Sequence, residues 1–128
     1  MFRSRRQEYF TPESILKSKG KLTTTQIDAC LADAEIEVLR CITSQAWFRP
    51  TPEQLDGLLV HVDQLSGVNG IQSSAGNITT EQRAKILTHK CTDVRAALWK
   101  QTWFEPDPNE IEQGLGDESE EVREMVIS

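Results

Sequence analysis

The chain has 128 residues, of which 38% are hydrophobic and 27% charged, with a formal net charge of −6. That length suits one domain able to bury a core without disulfide staples. Its longest apolar runs are a few residues each, which excludes a membrane-spanning helix. The basic opening Met1-Phe2-Arg3-Ser4-Arg5-Arg6 is followed by no apolar run, so a secretory signal is not expected. Charge is uneven along the chain: residues 1–22 sum to +4, 23–104 to −2 and 105–128 to −8. A generic nucleic-acid binder needs a basic stripe, and only the first of these segments offers one. Cys30, Cys41 and Cys91 are odd in number and widely spaced, as expected for reduced, mostly buried thiols of a cytoplasmic protein.

Residues 1–10 read as an irregular arm anchored by Tyr9 and Phe10. Thr11-Pro12-Glu13 starts a helix: threonine caps, proline suits the first turn, and glutamate faces the positive helix end. Gly20 closes that helix after Ile15 and Leu16. Thr23-Thr24-Thr25-Gln26 caps the next, whose Ile27, Cys30 and Leu31 form an apolar stripe. A break follows near 32–34. Ile36, Val38, Leu39 and Ile42 then continue helical spacing toward Ala46-Trp47-Phe48. Pro50 and Pro52 stop that run, and Thr51-Pro52-Glu53 caps a helix through Leu55, Leu58, Leu59 and Val62. From 63 to 78 the glycines Gly67, Gly70 and Gly76, with Asn69, Ser73 and Ser74, predict an irregular connection. Regular text resumes at Thr79.

The chain repeats itself. Sliding residues 23–59 onto 79–115 matches 11 of 37 positions, among them Trp47/Trp103, Phe48/Phe104, Pro50/Pro106 and Pro52/Pro108. Half that offset relates Val94-Arg95 to Val122-Arg123. The parse is a basic arm and capping helix over 1–22, then units 23–50, 51–78 (degenerate), 79–106 and 107–128. Each unit holds two short helices, and neither buries its stripe alone, so the units must stack. The expectation is an all-α protein of seven or eight helices in antiparallel pairs, a right-handed α-solenoid fragment.

The recurring text, Phe-x-Pro-x-Pro, then Ile/Leu-Glu/Asp-x-x-Leu, an acidic turn and Val-Arg, resembles HEAT-like repeats of the variant leucine-rich type found in bacterial and phage proteins. The resemblance covers 23–128 and is strongest over 79–128. It implies a short α-solenoid of helical-pair repeats. Members of that superfamily mostly bind proteins, and a minority act on DNA as alkylpurine glycosylases.

Arg95 and Arg123 have two readings: pairing with an acid of a neighbouring unit (Asp117 for Arg95), or contacting a partner. Trp47-Phe48 and Trp103-Phe104 are expected to seal junctions at the ends of second helices. Trp99, lacking an aromatic counterpart, is either core or a contact hot spot beside Arg95. His89 and Cys91, two apart, would point to different faces of a helix, so no metal site is expected. No phosphate loop, nucleophile elbow or His-Glu-x-x-His motif occurs, and no cofactor or catalytic residue is assigned. A glycosylase would have to draft Trp99, Trp103 and Asp93.

The functional expectation is a non-enzymatic protein-interaction module using Arg95, Trp99, Arg123, Glu118, Glu120 and Glu121 against a protein with a basic surface. Size, charge and family habitat suggest a phage-encoded inhibitor of a host nucleic-acid-handling or defence complex. The alternative is nucleic-acid binding through Arg3, Arg5, Arg6, Lys17, Lys19 and Lys21. Val122, Met125 and Val126 should pack inward while Ile127 stays open, which suggests a homodimer through the C-terminal end.

Overall fold

The computed structural model describes residues 10–33 and 35–127, and these are all-helical: nine helices and no strand among the described residues. They are α1 (Pro12–Ser18), α2 (Thr24–Leu31), α3 (Ile36–Thr43), α4 (Pro52–Val60), α5 (Gln64–Ser74), α6 (Thr80–Leu87), α7 (Thr92–Trp99), α8 (Pro108–Leu115) and α9 (Glu120–Ile127). Helices of about this length are marginal alone. Specific end chemistry and packing hold them.

The even-numbered helices share one start. Thr23, Thr51, Thr79 and Asp107, a constant step of 28 residues, each accept a hydrogen bond from the backbone N–H three residues on. The residue at that third position, Gln26, Gln54, Gln82 or Glu110, returns the bond to the cap's own N–H. Each capping box satisfies two orphan donors, and losing a cap of this type costs about 1 kcal/mol. The same glutamines also reach backwards. Gln54 Nε2 donates to Asp28 Oδ1 (2.7 Å), and Gln82 Nε2 donates to Asp56 Oδ1 (2.8 Å) and the Pro52 carbonyl (2.6 Å). At the next step Glu110 accepts from Arg83 instead. One side chain thus starts its helix and ties it to the preceding even-numbered helix.

A second series sits in the turns between an even helix and the odd one that follows. Asp33, His61, His89 and Asp117, again 28 apart, each accept from the backbone N–H two residues on, at 2.7, 2.9, 3.0 and 2.8 Å. Aspartate and histidine serve one role because each offers a short side-chain acceptor. Since Nδ1 accepts, the two imidazoles carry their proton on Nε2, and His89 uses it to donate to the Leu59 carbonyl at 3.0 Å.

Each even helix packs on the odd helix that follows it, and α1, α3, α5, α7 and α9 pack in succession on one another. Contact between successive even helices is slighter, with α2 and α4 the best-joined pair. Two apolar clusters result. One gathers Ile15, Cys30, Val38, Leu39, Ile42, Phe48 and Leu58; the other Leu55, Leu59, Ile71, Ile86, Leu87, Val94, Ala97, Leu98 and Phe104. Helix α4 contributes to both and joins them.

Several expectations need correction. The 63–78 connection is α5, the longest helix, packed against α3, α4 and α7. Asp63 caps it by accepting from Ser66 N–H. Its glycines serve packing: a Cβ on Gly70 would lie 2.7 Å from Leu58 Cδ1 and 3.1 Å from Leu55 Cδ1, so the leucines occupy the space that a side chain would need. Gly76 alone has the expected turn role, with φ +91° after Ala75 at +52°. Helix α3 ends at Thr43, so Trp47 and Phe48 follow the helix rather than end it, and α7 likewise ends at Trp99 ahead of Trp103 and Phe104. Phe48 and Phe104 are buried, whereas the tryptophans are half-buried. Trp47 lies over Gly20 and Trp103 over Gly76, two glycines with positive φ. Val62 lies beyond α4 and is 88% exposed. His89 and Cys91 share a turn, where Cys91 N–H donates to the His89 ring, so helical geometry does not apply. Of the thiols only Cys30 is fully buried, and burial pushes it up to about 11.

Candidate functional site

The acidic α8–α9 end is fixed to the rest of the molecule by two arginines. Arg83 of α6 forms a two-pronged pair with Glu110 and also donates to the Glu105 carbonyl (3.2 Å). Its guanidinium lies 5.0 Å from the Phe104 ring centroid, a favourable cation–π placement. Phe104 in turn meets Trp99 edge-to-face at 5.0 Å.

Arg95 of α7 grips Asp117, with Nε 2.9 Å from Oδ2 and Nη2 3.0 Å from Oδ1. Its remaining nitrogen, Nη1, donates to the His89 carbonyl at 2.7 Å. Arg123 repeats that last bond within its own turn, Nη1 donating to the Asp117 carbonyl at 2.6 Å. Burial pushes the Asp117 carboxyl up, but Arg95, the Ser119 N–H and the charge of Arg123 outweigh it and leave the carboxyl below its usual range. A carboxylate so held stays charged at neutral pH.

The structure therefore brings Arg95 and Arg123 together around Asp117, the pairing partner expected for Arg95. It does not offer Arg95 to a partner: the residue is 6% exposed and its donors are engaged. Trp99 is half-buried between Phe104 and Gly114, where a Cβ on the glycine would sit 2.7 Å from Trp99 Cζ2. Glu118, Glu120 and Glu121 are exposed. Glu121 approaches Lys100 at 3.9 Å with both side chains half exposed, a contact worth little.

The same two helices also expose apolar side chains that are buried at equivalent positions of earlier units. Leu59 and Leu87 are each 6% exposed, yet Leu115 at the next step is 47% exposed. Ile71 is fully buried, while Ile127, two steps on, is 74% exposed. Ile111 is 38% exposed where Leu55 is 0%. Val122 is fully buried, and Met125 and Val126 are half-buried. Sequence reading found Ile127 but missed Ile111 and Leu115, although their helical register with Leu55 and Leu59 was available.

Of the basic alternative, Arg3, Arg5 and Arg6 lie outside the described residues. Lys17, Lys19 and Lys21 are exposed around the end of α1, with Lys17 3.7 Å from Glu13. The residues a glycosylase would draft have other surroundings. Asp93 lines a cleft of α5 and α7, Trp99 packs on Phe104 and Trp103 on Gly76. Among the described residues no group of three or more His, Cys, Asp or Glu side chains is placed to hold a metal ion, and no helix is long and apolar enough to cross a membrane.

No protein-family model, curated protein or solved structure matches the chain.

Proposed function

We propose that the chain is a non-enzymatic protein-interaction module, a short α-solenoid of HEAT-like helical pairs whose α8–α9 end docks a partner with a basic rim. The observation that carries this reading is the exposure of apolar side chains on these two helices: Leu115 is 47% and Ile127 74% exposed, where the equivalent Leu87 and Ile71 are 6% and 0%. The constant step of the caps and the succession of odd helices support the stacked-pair architecture. Glu112, Glu118, Glu120 and Glu124 are exposed on α8, α9 and the turn between them. Acidic and apolar side chains exposed on the same helices suit a basic-rimmed protein and repel nucleic acid. An inhibitor or adaptor acting on a protein that itself handles nucleic acid is the role this surface fits best. The crowd of carboxylates disfavours a second copy of the same end as the occupant.

Affinity capture from bacterial lysate tests the reading, with the parent chain run beside Leu115→Glu/Ile127→Glu and Glu118→Lys/Glu120→Lys variants. A binder retained by the parent and lost by both variants is the expected result. Steeply salt-dependent binding to duplex or single-stranded DNA, unchanged by either variant, would replace it with the nucleic-acid reading. Sedimentation velocity at low and high salt checks whether the parent self-associates.

A further inference from the structure

A second surface, remote from the acidic end in charge and composition, lies at the turn between α4 and α5. Val60 and Val62 are 82% and 88% exposed, the two most exposed large apolar side chains described. The repeat accounts for the exposure but not for the apolar side chains, since the equivalent described positions are also exposed and are small or polar. The positions one step either way from Val60 are Ala32 and Thr88, and one step on from Val62 is Lys90. Nor is this a slack loop. His61 Nδ1 accepts from Asp63 N–H, and the Asp63 carboxylate is held by Arg40 through Nε (3.1 Å to each oxygen) and by Ser66 Oγ (2.6 Å). The valines are displayed on a braced turn, so ordering them on binding costs little conformational entropy.

They border a cleft of about 580 Å³ lined by Leu59, Val60, His61, Val62, Gln64, Lys85, His89 and Lys90. In a chain of net charge −6 no carboxylate lines it. Lys85 and Lys90 are exposed and have no carboxylate partner among the described residues. His61, with Nδ1 already accepting, keeps Nε2 as an N–H donor. The lining is thus an apolar floor and lip with donors and cations at its edge.

We propose that this cleft binds an acidic peptide segment of a partner protein, apolar anchors against Leu59, Val60 and Val62 and carboxylates toward Lys85 and Lys90. Charge complementarity selects that occupant over a basic one, and it is a different partner surface from the one the α8–α9 end suits. The two surfaces could engage one protein or two.

The test is selection from a random dodecapeptide library displayed on phage against the intact chain, followed by fluorescence anisotropy with the enriched peptides at low and high salt. Two variants run in parallel, Val60→Ser/Val62→Ser and Lys85→Glu/Lys90→Glu. All four positions are exposed, and circular dichroism checks that each variant keeps the parent's helicity. Enriched peptides should be acidic with apolar anchors. They should bind each variant roughly tenfold more weakly, the scale of re-exposing one apolar side chain, and the lysine share of affinity should fall with salt. No enrichment overturns the proposal, as do enriched peptides that bind both variants like the parent. Binding of phosphatidylserine vesicles or single-stranded DNA that requires the lysines but ignores the valines also overturns it, reassigning the cleft to lipid or nucleic acid.

Discussion

Arg95 reaches across from α7 to clamp both oxygens of Asp117 while its third nitrogen holds the His89 carbonyl, so one side chain closes its own turn and the next. The ion pair is nearly dry, the side chains being 7% and 11% exposed. Removing one partner of such a pair leaves a buried charge uncompensated and typically costs about 3–5 kcal/mol. Arg95→Ala is therefore expected to be among the most destabilising substitutions in the chain. Arg95→Lys should recover little, because a single ammonium cannot reproduce the fork. Arg123→Ala, which gives up one bond to a main-chain carbonyl at a half-buried site, should cost about 1 kcal/mol. Urea denaturation of the three variants checks the order, and an Arg95→Ala loss no larger than that of Arg123→Ala would refute the account.

Two helical glycines should respond oppositely to alanine. At Gly70 the new methyl would meet Leu58 Cδ1 at 2.7 Å and Leu55 Cδ1 at 3.1 Å, both in the core. Overpacking of this kind costs about 1–3 kcal/mol. At Gly57, exposed on α4, nothing lies within 4 Å of the added atom, so the helix gains about 0.5–1 kcal/mol. Thermal unfolding should show Gly70→Ala melting earlier and Gly57→Ala later than the parent. The same sign for both would sink the packing argument.

Those glycines also mark what the sequence could and could not tell. The capped starts at Thr11, Thr23 and Thr51 were readable because threonine, a helix-entry residue and a polar third position form a local grammar. The Arg95–Asp117 pair was readable from the repeat. Helix α5 was not, because glycine as a turn residue and glycine as a site of close helix approach look alike in one dimension. Only the leucines that fill the gap, supplied by α4, distinguish them. The branched acceptor series was equally hidden, since Asp33, His61, His89 and Asp117 share a role and not a letter. The exposed apolar side chains of α8 and α9 were half legible: Ile127 stood out at the chain's open run, while Leu115 looked like its buried equivalents Leu59 and Leu87.

Asp63 should give stability an acid limb. Its hydrogen bonds from Arg40, reinforced by Ser66 and opposed by burial, lower its carboxyl from 3.8 to about 2. A carboxyl depressed on folding adds stability that is present above the unfolded value and is lost as pH falls through the folded one. The window is from about pH 4 down to about pH 2. Arg40 is half exposed, so water screens the pair, and the effect should be about 1 kcal/mol. Asp63→Asn should be less stable than the parent at neutral pH, with the gap narrowing across that window. A gap that stays constant down to pH 2 would mean that the ionised carboxylate contributes nothing beyond its shape.

The turn acceptors predict a rescue. His89→Ala removes the acceptor for Cys91 N–H and the donor to the Leu59 carbonyl. Both groups lie at half-buried or buried positions, and leaving such groups unpaired costs about 1–3 kcal/mol. His89→Asp restores the first bond, because Asp33 and Asp117 make it at the equivalent turns. It does not restore the second, since an ionised carboxylate cannot donate. The aspartate variant should therefore sit between His89→Ala and the parent in urea midpoint, with amide exchange at Cys91 slowed again relative to the alanine variant. Asparagine at 89 can accept through its carbonyl and donate through its amide, but its shorter side chain falls short of Leu59, so it should match aspartate rather than histidine. If aspartate proves no better than alanine, the recurrence of acceptors at this step is incidental, and the histidine stabilises the turn through its bond to the Leu59 carbonyl and its ring packing instead.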